Sequence, residues 1–520
     1  MTTPGMKLPL LAKGAFSIRS GVLLVAALLM GSGRRSPGTS PSPVGEPPKI
    51  AVLGWHDTGQ PPNAVLTIGL AAELVHRLQT SPGVVVREPA RALAARGGSA
   101  TGRVRYGDVE VILWLTAANG NRPRVTWELE RLADGMTLIA GESSPDARAL
   151  AELPSRIARD VLERLGAPGL SPGARHAHTS IVEPDSYRRF VEILGQPDDG
   201  KDERASLLGR IAGLESVAAG LGAYTPAVTT LGSDYLDLAG LAGGRAPYYE
   251  RATRVLERAF AMDTSYPPAR AKLASLYAKV GKSERAVELL TTGLVMHPHF
   301  APYHETLGYV LRYAGLMERS IASYRRGQEL DASADNLVST QDQITKSLIY
   351  LGEYQAALDS HGRMRSFLAM AGRSPDEKQW FYEGVIHLYR GDKTAAVQAF
   401  RTGARLGPGS VWTTFGRGYE AVALGDSAGA SAVLRELERH EVVDGERHFR
   451  LVHLATFSGR LDRALDHLET SIKGGFFNAP YIASDPWLAP LREVPRFAQL
   501  VNAARARHDA VRRTVAARGG

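Results

Sequence analysis

Six turn glycines, each followed five residues later by a small residue, restrict the folds open to this chain. The six pairs are Gly281/Ala286, Gly315/Ser320, Gly352/Ala357, Gly391/Ala396, Gly425/Ala430 and Gly459/Ala464. The small residues lie 34 residues apart in two runs, which are Ala252, Ala286 and Ser320, then Ala396, Ala430 and Ala464. This period predicts helical hairpins that stack into a solenoid, because a single hairpin cannot bury its own apolar face. The unit at 338–371 is out of phase, which indicates an insertion or an irregular turn between the runs.

The clearest unit extends from Trp380 to Pro408. Gly384 and Ala396 are small, so two helices can approach closely there, and Trp380 and Phe400 are expected to fill the wedge between them. This pattern resembles the tetratricopeptide repeat. The resemblance implies an all-α superhelix at 185–474, with the first helix of each hairpin lining a concave face.

Composition is that of a folded protein, with 44% hydrophobic and 22% charged residues among 520, enough for roughly three domains. The chain has no cysteine, which excludes disulfides, thiolate metal sites and cysteine nucleophiles. The formal net charge of +8 is modest for this length. We interpret it mainly as a contribution to solubility, with only a weak preference for anionic neighbours.

Residues 1–33 have the features of an export signal: a basic leader, an apolar run at 21–30 and small residues after it. The run is short for a membrane span, so a cleaved signal peptide is favoured over an uncleaved anchor or a buried helix. Arg34 and Arg35 resist translocation and weaken the secretion interpretation. We expect an exported protein, periplasmic or anchored in the cytoplasmic membrane, with membrane contact confined to this segment. Residues 34–48 read as an extended Pro/Ser-rich linker.

Residues 49–166 predict a small α/β domain with a mixed sheet. Apolar runs indicate strands at 49–53, 84–86 and 109–115, and an Asp134-Gly135 turn joins a hairpin of 125–132 and 136–140. Leucines at helical spacing predict helices at 64–78 and 150–165. This order resembles the TolB-like domain that precedes tetratricopeptide repeats in bacterial signalling proteins. The motif Pro-Phe of that family is replaced here by Gly54-Trp55, and the Trp after the hairpin turn is missing.

The carboxyl-terminal residues 475–520 are predicted to cap the solenoid and end in a basic helix. Residues 485–497 are similar to the ending found after the repeats of the same TolB-like family. Trp487, Leu491, Phe497 and Leu500 are expected to cover the apolar face of the last hairpin. Residues 167–184, rich in Gly and Pro at their start, are interpreted as a linker between the α/β domain and the repeats.

No catalytic, cofactor or metal constellation is predicted, so the chain is expected not to be an enzyme. The Gly281-Lys282-Ser283 end of a phosphate loop lacks its upstream glycine. The pairs beginning at His304 and His440 lack the second histidine of a zinc-protease helix. His297, His299 and His304 are more simply surface histidines than a metal site. Nucleic acid is not an expected partner.

The remaining candidate is the concave face of the superhelix, as a site for a protein or peptide. The side chains predicted to bind the partner there are aromatic residues and one arginine, the types enriched in interface hot spots. They are Tyr309, Arg312, Tyr313, Phe381, Tyr389, Phe415 and Tyr419. Each of them has an alternative role in the core between hairpins. A non-enzymatic scaffold is the first hypothesis, and the alternative is a sensory or regulatory component whose kinase, cyclase or DNA-binding partner is on another chain.

Overall fold

The computed structural model describes residues 47–54, 63–87, 109–120, 122–171, 177–196, 202–241, 246–407, 409–439 and 444–517. The predicted signal or anchor and nearly all of the Pro/Ser-rich linker lie outside these residues. A search of the described helices finds none with the length and apolar character needed to cross a bilayer.

A five-stranded mixed sheet begins the described chain, as the sequence predicts. The strands are β1 (Lys49–Gly54), β2 (Val85–Arg87), β3 (Val111–Ala117), β4 (Val125–Arg131) and β5 (Met136–Ser143). Their order is β2-β1-β3-β4-β5, with β2, β1 and β3 parallel and β3, β4 and β5 antiparallel. Helices α1 (Ala64–Leu78) and α2 (Ala147–Arg164) cover one face with the leucines that the spacing placed there.

The core of the sheet continues into the first helical hairpin, α3 (Pro184–Gly195) and α4 (Glu203–Leu221). A Cβ on Gly195 would lie 1.8 Å from the carbonyl oxygen of Val65, so α3 packs directly on α1. Buried polar side chains add to this contact, because the Glu73 carboxylate accepts hydrogen bonds from Tyr187 and Tyr224. The segment predicted as a linker therefore leads into a hairpin that shares the core of the α/β domain.

Eight more pairs of helices follow, and half of these helices begin 34 residues after the equivalent helix of the preceding hairpin. They are α5 (Thr225–Leu241), α6 (Ala246–Met262), α7 (Pro267–Lys279), α8 (Ser283–Met296), α9 (Ala301–Ala314), α10 (Met317–Leu330), α11 (Ala334–Leu351), α12 (Tyr354–Met370), α13 (Glu377–Tyr389), α14 (Lys393–Leu406), α15 (Val411–Leu424), α16 (Ser427–Leu437), α17 (Gly445–Phe457), α18 (Leu461–Lys473), α19 (Ala479–Ser484) and α20 (Pro495–Ala517). A 3-10 turn at Pro486–Leu491 separates the last two.

The irregular middle of the repeat has a simple origin in helix length. Helix α11 has 18 residues and α12 has 17, whereas α9 and α10 have 14 each. The extra turns shift the phase of everything that follows, as the sequence indicated.

Close approach between the helices of a hairpin is confirmed at Gly384. A Cβ there would lie 2.3 Å from the ring of Phe400. At the turn before α14, Gly391 adopts a φ of 81°, a left-handed conformation that glycine adopts without strain.

Candidate functional site

The first helices α9, α11, α13, α15 and α17 line the inner face of the superhelix, and the chain's own end lies across it. We call residues 476–491 the tail. The ring of Phe476 contacts Tyr313 of α9, Tyr350 of α11 and Phe449 of α17 at centroid distances of 5.0–5.6 Å. Trp487 stacks on Tyr389 of α13 at 4.7 Å. The tail thus covers the last hairpin, as a cap should, and also spans the concave face.

Asp485 fixes the tail through a buried hydrogen-bond network. Its carboxylate accepts hydrogen bonds from the Nε2 of His453 at 2.7 Å and from the hydroxyl of Tyr389 at 3.2 Å. Because Nε2 donates, Nδ1 of His453 is the acceptor for the Tyr419 hydroxyl at 2.8 Å. Burial lowers the pKa of His453, and despite its own burial the pKa of Asp485 is lowered by the neighbouring histidine and its hydrogen bonds.

Helix α20 closes the superhelix by joining its early and late hairpins. The guanidinium of Arg507 donates to the carbonyl oxygens of Gly281 and Ile472, both at 2.7 Å, and pairs with Glu284. The His508 ring donates to the Ala314 carbonyl oxygen at 2.6 Å. Two of the residues expected to cap the last hairpin, Leu491 and Phe497, are buried in the same core.

A buried ionic cluster crosses the interior beside the tail. Arg312 of α9 pairs with Glu446 of α17 through contacts of 2.6 and 3.2 Å, although 134 residues separate them. Tyr350 also donates to Glu446, and Arg450 donates to the Tyr350 hydroxyl at 2.8 Å. Despite its burial, the pKa of Glu446 is strongly lowered, chiefly by Arg312, Lys346 and Arg450. The cluster therefore holds together two hairpins that are four units apart in the repeat series.

Five of the seven side chains predicted to bind a partner lie inside the protein: Arg312, Tyr313, Phe381, Phe415 and Tyr419. The expectation that they face an open groove is corrected, because they contact other hairpins and, in two cases, the tail. Tyr309 and Tyr389 are half-buried. Tyr389 lies between the rings of Tyr354 and Trp487. Partner binding by these seven residues stays a prediction.

The magnitude of tail burial decides whether a partner can take its place. Phe476, Phe477, Ile482, Leu488 and Leu491 are each fully buried. Each such side chain contributes about 1.5–3 kcal/mol, so burial of the five contributes roughly 8–15 kcal/mol. Displacing it would consume most of the free energy of even a nanomolar complex, about 12 kcal/mol. We therefore expect a partner not to displace the tail.

One part of the inner face stays accessible, and we call it the basic mouth. It consists of six half-buried residues. Lys378, Trp412 and Arg447 lie at the amino-terminal ends of α13, α15 and α17, and Asp444 immediately precedes α17. Lys279 and Tyr309 lie on the facing helices α7 and α9. The ammonium of Lys279 lies 5.2 Å from the centre of the Tyr309 ring, and the guanidinium of Arg447 lies 5.6 Å from that of Trp412. Desolvation lowers the pKa of Lys279, and the cations Arg447 and Lys378 lower it further against the opposing effect of Asp444.

Sequence reasoning found Tyr309 of the mouth but missed Lys378, Trp412 and Arg447. Lys378 and Trp412 occupy equivalent places in successive hairpins, since each is the second residue of its first helix. That register was readable from the 34-residue period. The ion pair between Arg312 of α9 and Glu446 of α17 had no comparable signal in the sequence.

A second concavity lies at the junction of β2 with the turn before α9. Its lining includes Val84, Val85, His297, Phe300 and Leu330, and its volume is about 50 Å³. That is room for a few water molecules, not for an organic ligand. Among the residues that the structure describes, no group of three metal-binding side chains is close enough to hold an ion.

No family model matches the chain, and none of the curated proteins matches it. Among solved structures, it is similar to the pilF product of Pseudomonas aeruginosa, at 15% identity over 41% of this chain and 90% of that one, with a TM-score of 0.32. It is also similar to a thermophilic tetratricopeptide-repeat protein of Thermus thermophilus, at 19% identity over 38% and 98%, with a TM-score of 0.31. A tetratricopeptide-repeat protein of Parabacteroides merdae gives 13% identity, 54% and 98%, and a TM-score of 0.35. At such TM-scores the likeness carries no argument, and the repeat assignment depends on the helical period itself.

Proposed function

We propose that this protein is a non-enzymatic interaction scaffold that binds a protein partner at the basic mouth. The observation that carries the proposal is the contrast between the tail-filled interior and the half-buried rings and cations left at the mouth. Aromatic and arginine side chains dominate binding hot spots, and Trp412 with Arg447 offers both types in contact. The finer sequence hypothesis, a peptide lying along the whole concave face, is replaced by a smaller docking site.

The rigidity of the superhelix supports a scaffold role. The cluster around Glu446 and the contacts of Arg507 join early and late hairpins directly. Solenoids whose repeats contact only their neighbours flex along their length, whereas contacts between hairpins that are distant in sequence fix the spacing of surface groups. A fixed site loses little conformational entropy on binding.

Site-directed photo-cross-linking in the full-length chain tests the proposal. A photoreactive aromatic residue replaces Trp412 in one variant and Trp380 in the control. Both tryptophans are half-buried and both lie beside an arginine, but Trp380 is packed under Arg365 on the other side of the hairpin. We expect an adduct with a second protein from position 412 and none from position 380. Adducts from position 380 alone would place partner binding outside the mouth.

Export belongs to the same proposal, and its support is the leader and apolar run at 1–33. Cell fractionation followed by amino-terminal sequencing tests it, with a mature protein that begins near Arg34 as the expected result. Recovery of the full-length chain in the cytoplasm with Met1 intact would overturn it.

A further inference from the structure

Positive charge is in excess at the mouth and in the cluster behind it. The cations are Lys279, Arg312, Lys346, Lys378, Arg447 and Arg450, and the carboxylates are Asp342, Asp444 and Glu446. Asp342 is shared by Lys346 and Lys378, both at 3.0 Å. Even with Asp237, an exposed carboxylate near Lys279, six cations face four carboxylates. Asp376 and Glu377 lie at the same end of α13, so the excess of positive charge is confined to the side chains that interact with Lys279 and Glu446.

Several of these cations can form a further ion pair or hydrogen bond. Within the described part of the chain, Lys279 and Arg447 make no ion pair within 4 Å; each lies over an aromatic ring, and Asp444 and Asp237 act on Lys279 only from a longer distance. Arg450, which is 99% buried, has no hydrogen-bond partner there for its Nε and one terminal nitrogen. Guanidinium groups stay charged in proteins, so these donors cannot be neutralised by losing a proton. They favour a negatively charged acceptor.

The backbone adds positive charge at one of the helix ends. Lys378, Trp412 and Arg447 are the second or third residues of α13, α15 and α17, so three helix amino termini point toward the mouth. The first turn of a helix carries a partial positive charge, which the capping carboxylates of Asp376 and Asp444 offset at α13 and α17. Helix α15 is capped by the neutral Ser410, so this end alone adds to the charge of the cations.

Apolar surface next to the cations narrows the class of partner. The Trp412 ring lies 5.8 Å from the ring of Tyr382 and remains half-exposed itself. The rings hold the cations of Lys279 and Arg447 against their faces, so little side-chain freedom remains to be lost. A peptide that alternates carboxylates with apolar side chains satisfies both kinds of surface.

We propose that the basic mouth binds an acidic segment of a partner protein, with carboxylates that pair with Lys279 and Arg447 and an apolar side chain that packs on Trp412. This inference rests on the proposed function and specifies its partner chemistry. Small phosphorylated ligands and nucleic acid share the charge but not the apolar contact, so they are distinct outcomes of the test.

Titration of the full-length protein with defined peptides tests the inference. The probe is a synthetic peptide that alternates glutamate with leucine, and its control has glutamine in place of every glutamate. We expect saturable binding of the first only. Raising the ionic strength from about 0.05 to about 0.5 M shortens the Debye length roughly threefold and should weaken binding clearly. Equal binding of the glutamine peptide, or full competition by inorganic phosphate, would overturn the inference.

Charge-reversal variants locate the binding. Lys279→Glu and Arg447→Glu should each weaken the glutamate peptide about tenfold, the equivalent of ~1.4 kcal/mol, whereas Lys279→Arg should retain affinity. The matched control is Arg319→Glu on α10, an exposed arginine on a second helix. Thermal melts establish that each variant is folded, and the neutral substitutions Lys279→Gln and Arg447→Gln replace any reversal that is not. An equal loss in Arg319→Glu would overturn the inference.

The two proposals can fail separately. Adducts from position 412 that persist in Lys279→Glu and Arg447→Glu, and at high ionic strength, would leave the scaffold function in place and overturn the acidic partner. If the chain with the photoreactive residue at position 412 and no other substitution gives no adduct, the proposed function itself is overturned.

Discussion

Helices α13, α15 and α17 differ between their two ends, because the carboxyl-terminal ends are covered by the tail and the amino-terminal ends are not. At their carboxyl-terminal ends, Tyr389, Tyr419 and His453 are packed against the tail and hydrogen-bonded to one another or to Asp485. At their amino-terminal ends, Lys378, Trp412 and Arg447 are half-buried residues of the basic mouth. One repeat unit thus contributes to the core at one end and to an accessible surface at the other.

The difference shows how a solenoid becomes a rigid body without losing its binding face. Tail burial excludes water from one end of the inner face and joins Tyr389, Tyr419, His453 and Asp485 in one hydrogen-bond network. Among the side chains of the mouth, cations outnumber carboxylates, and burying charge without a partner costs stability. We therefore expect stability to depend on the filled end and binding to depend on the mouth.

The largest effect is expected at the ion pair that closes the superhelix. Glu446→Gln leaves Arg312 and Arg450 buried without their carboxylate, and removing one member of a buried pair costs about 3–5 kcal/mol. Chemical denaturation measures the loss. The control is Glu420→Gln, whose partner Arg401 is 58% exposed, where a change below about 1 kcal/mol is expected. Equal losses of stability in the two variants would show that the Arg312–Glu446 pair does not hold the hairpins of α9 and α17 together.

The tail should come next. Leu488→Ala removes a fully buried side chain and should cost about 2–5 kcal/mol in the free energy of unfolding. The matched control is Leu424→Ala, which should change the free energy of unfolding little because Leu424, at the end of α15, is 61% exposed. A tail that is displaced in solution would give a small loss at Leu488 as well, and the filled end would then be a second binding site.

A smaller effect is expected from pH. Because the pKa of His453 is lowered from 6.5, folding favours its neutral form, and the stability this contributes is complete above pH 6.5 and falls as the pH drops below it. Asp485, lowered from 3.8, acts in the same direction at lower pH. We expect His453→Gln to reduce the slope of unfolding free energy against pH just below 6.5. An unchanged slope would assign it to the other histidines with lowered pKa values, which are His297, His304 and His467.

The sequence was sufficient for the local parts of this comparison. Glycine and small-residue spacing predicted the hairpins, and alternation with a turn pair predicted the sheet. The filled interior was not predictable, because the curvature of a solenoid accumulates from small rotations at each repeat. Whether Glu446 meets Arg312 depends on that sum over four hairpins. Five of the seven residues predicted to face an open groove are buried instead, and the sequence did not show that the tail would lie across the inner face.

The smallest effect on stability is expected at the mouth, and it sharpens the comparison most. Lys279→Met retains the length of the side chain and its contact with Tyr309, and removes an ammonium that has no carboxylate partner within the described part of the chain. The lost cation–π contact is worth about 0.5–1 kcal/mol, and relief of desolvation offsets it, so stability should change by less than about 1 kcal/mol.

Lys346→Met is the matched comparison for that variant. Lys346 is buried and pairs with Asp342 at 3.0 Å, so its removal leaves a buried carboxylate with only Lys378 and should cost several times more. Urea denaturation of both variants gives the two losses side by side. If Lys279→Met is as destabilising as Lys346→Met, the lysine of the mouth is part of the core, and the accessible end of the helices does not differ in kind from the filled one.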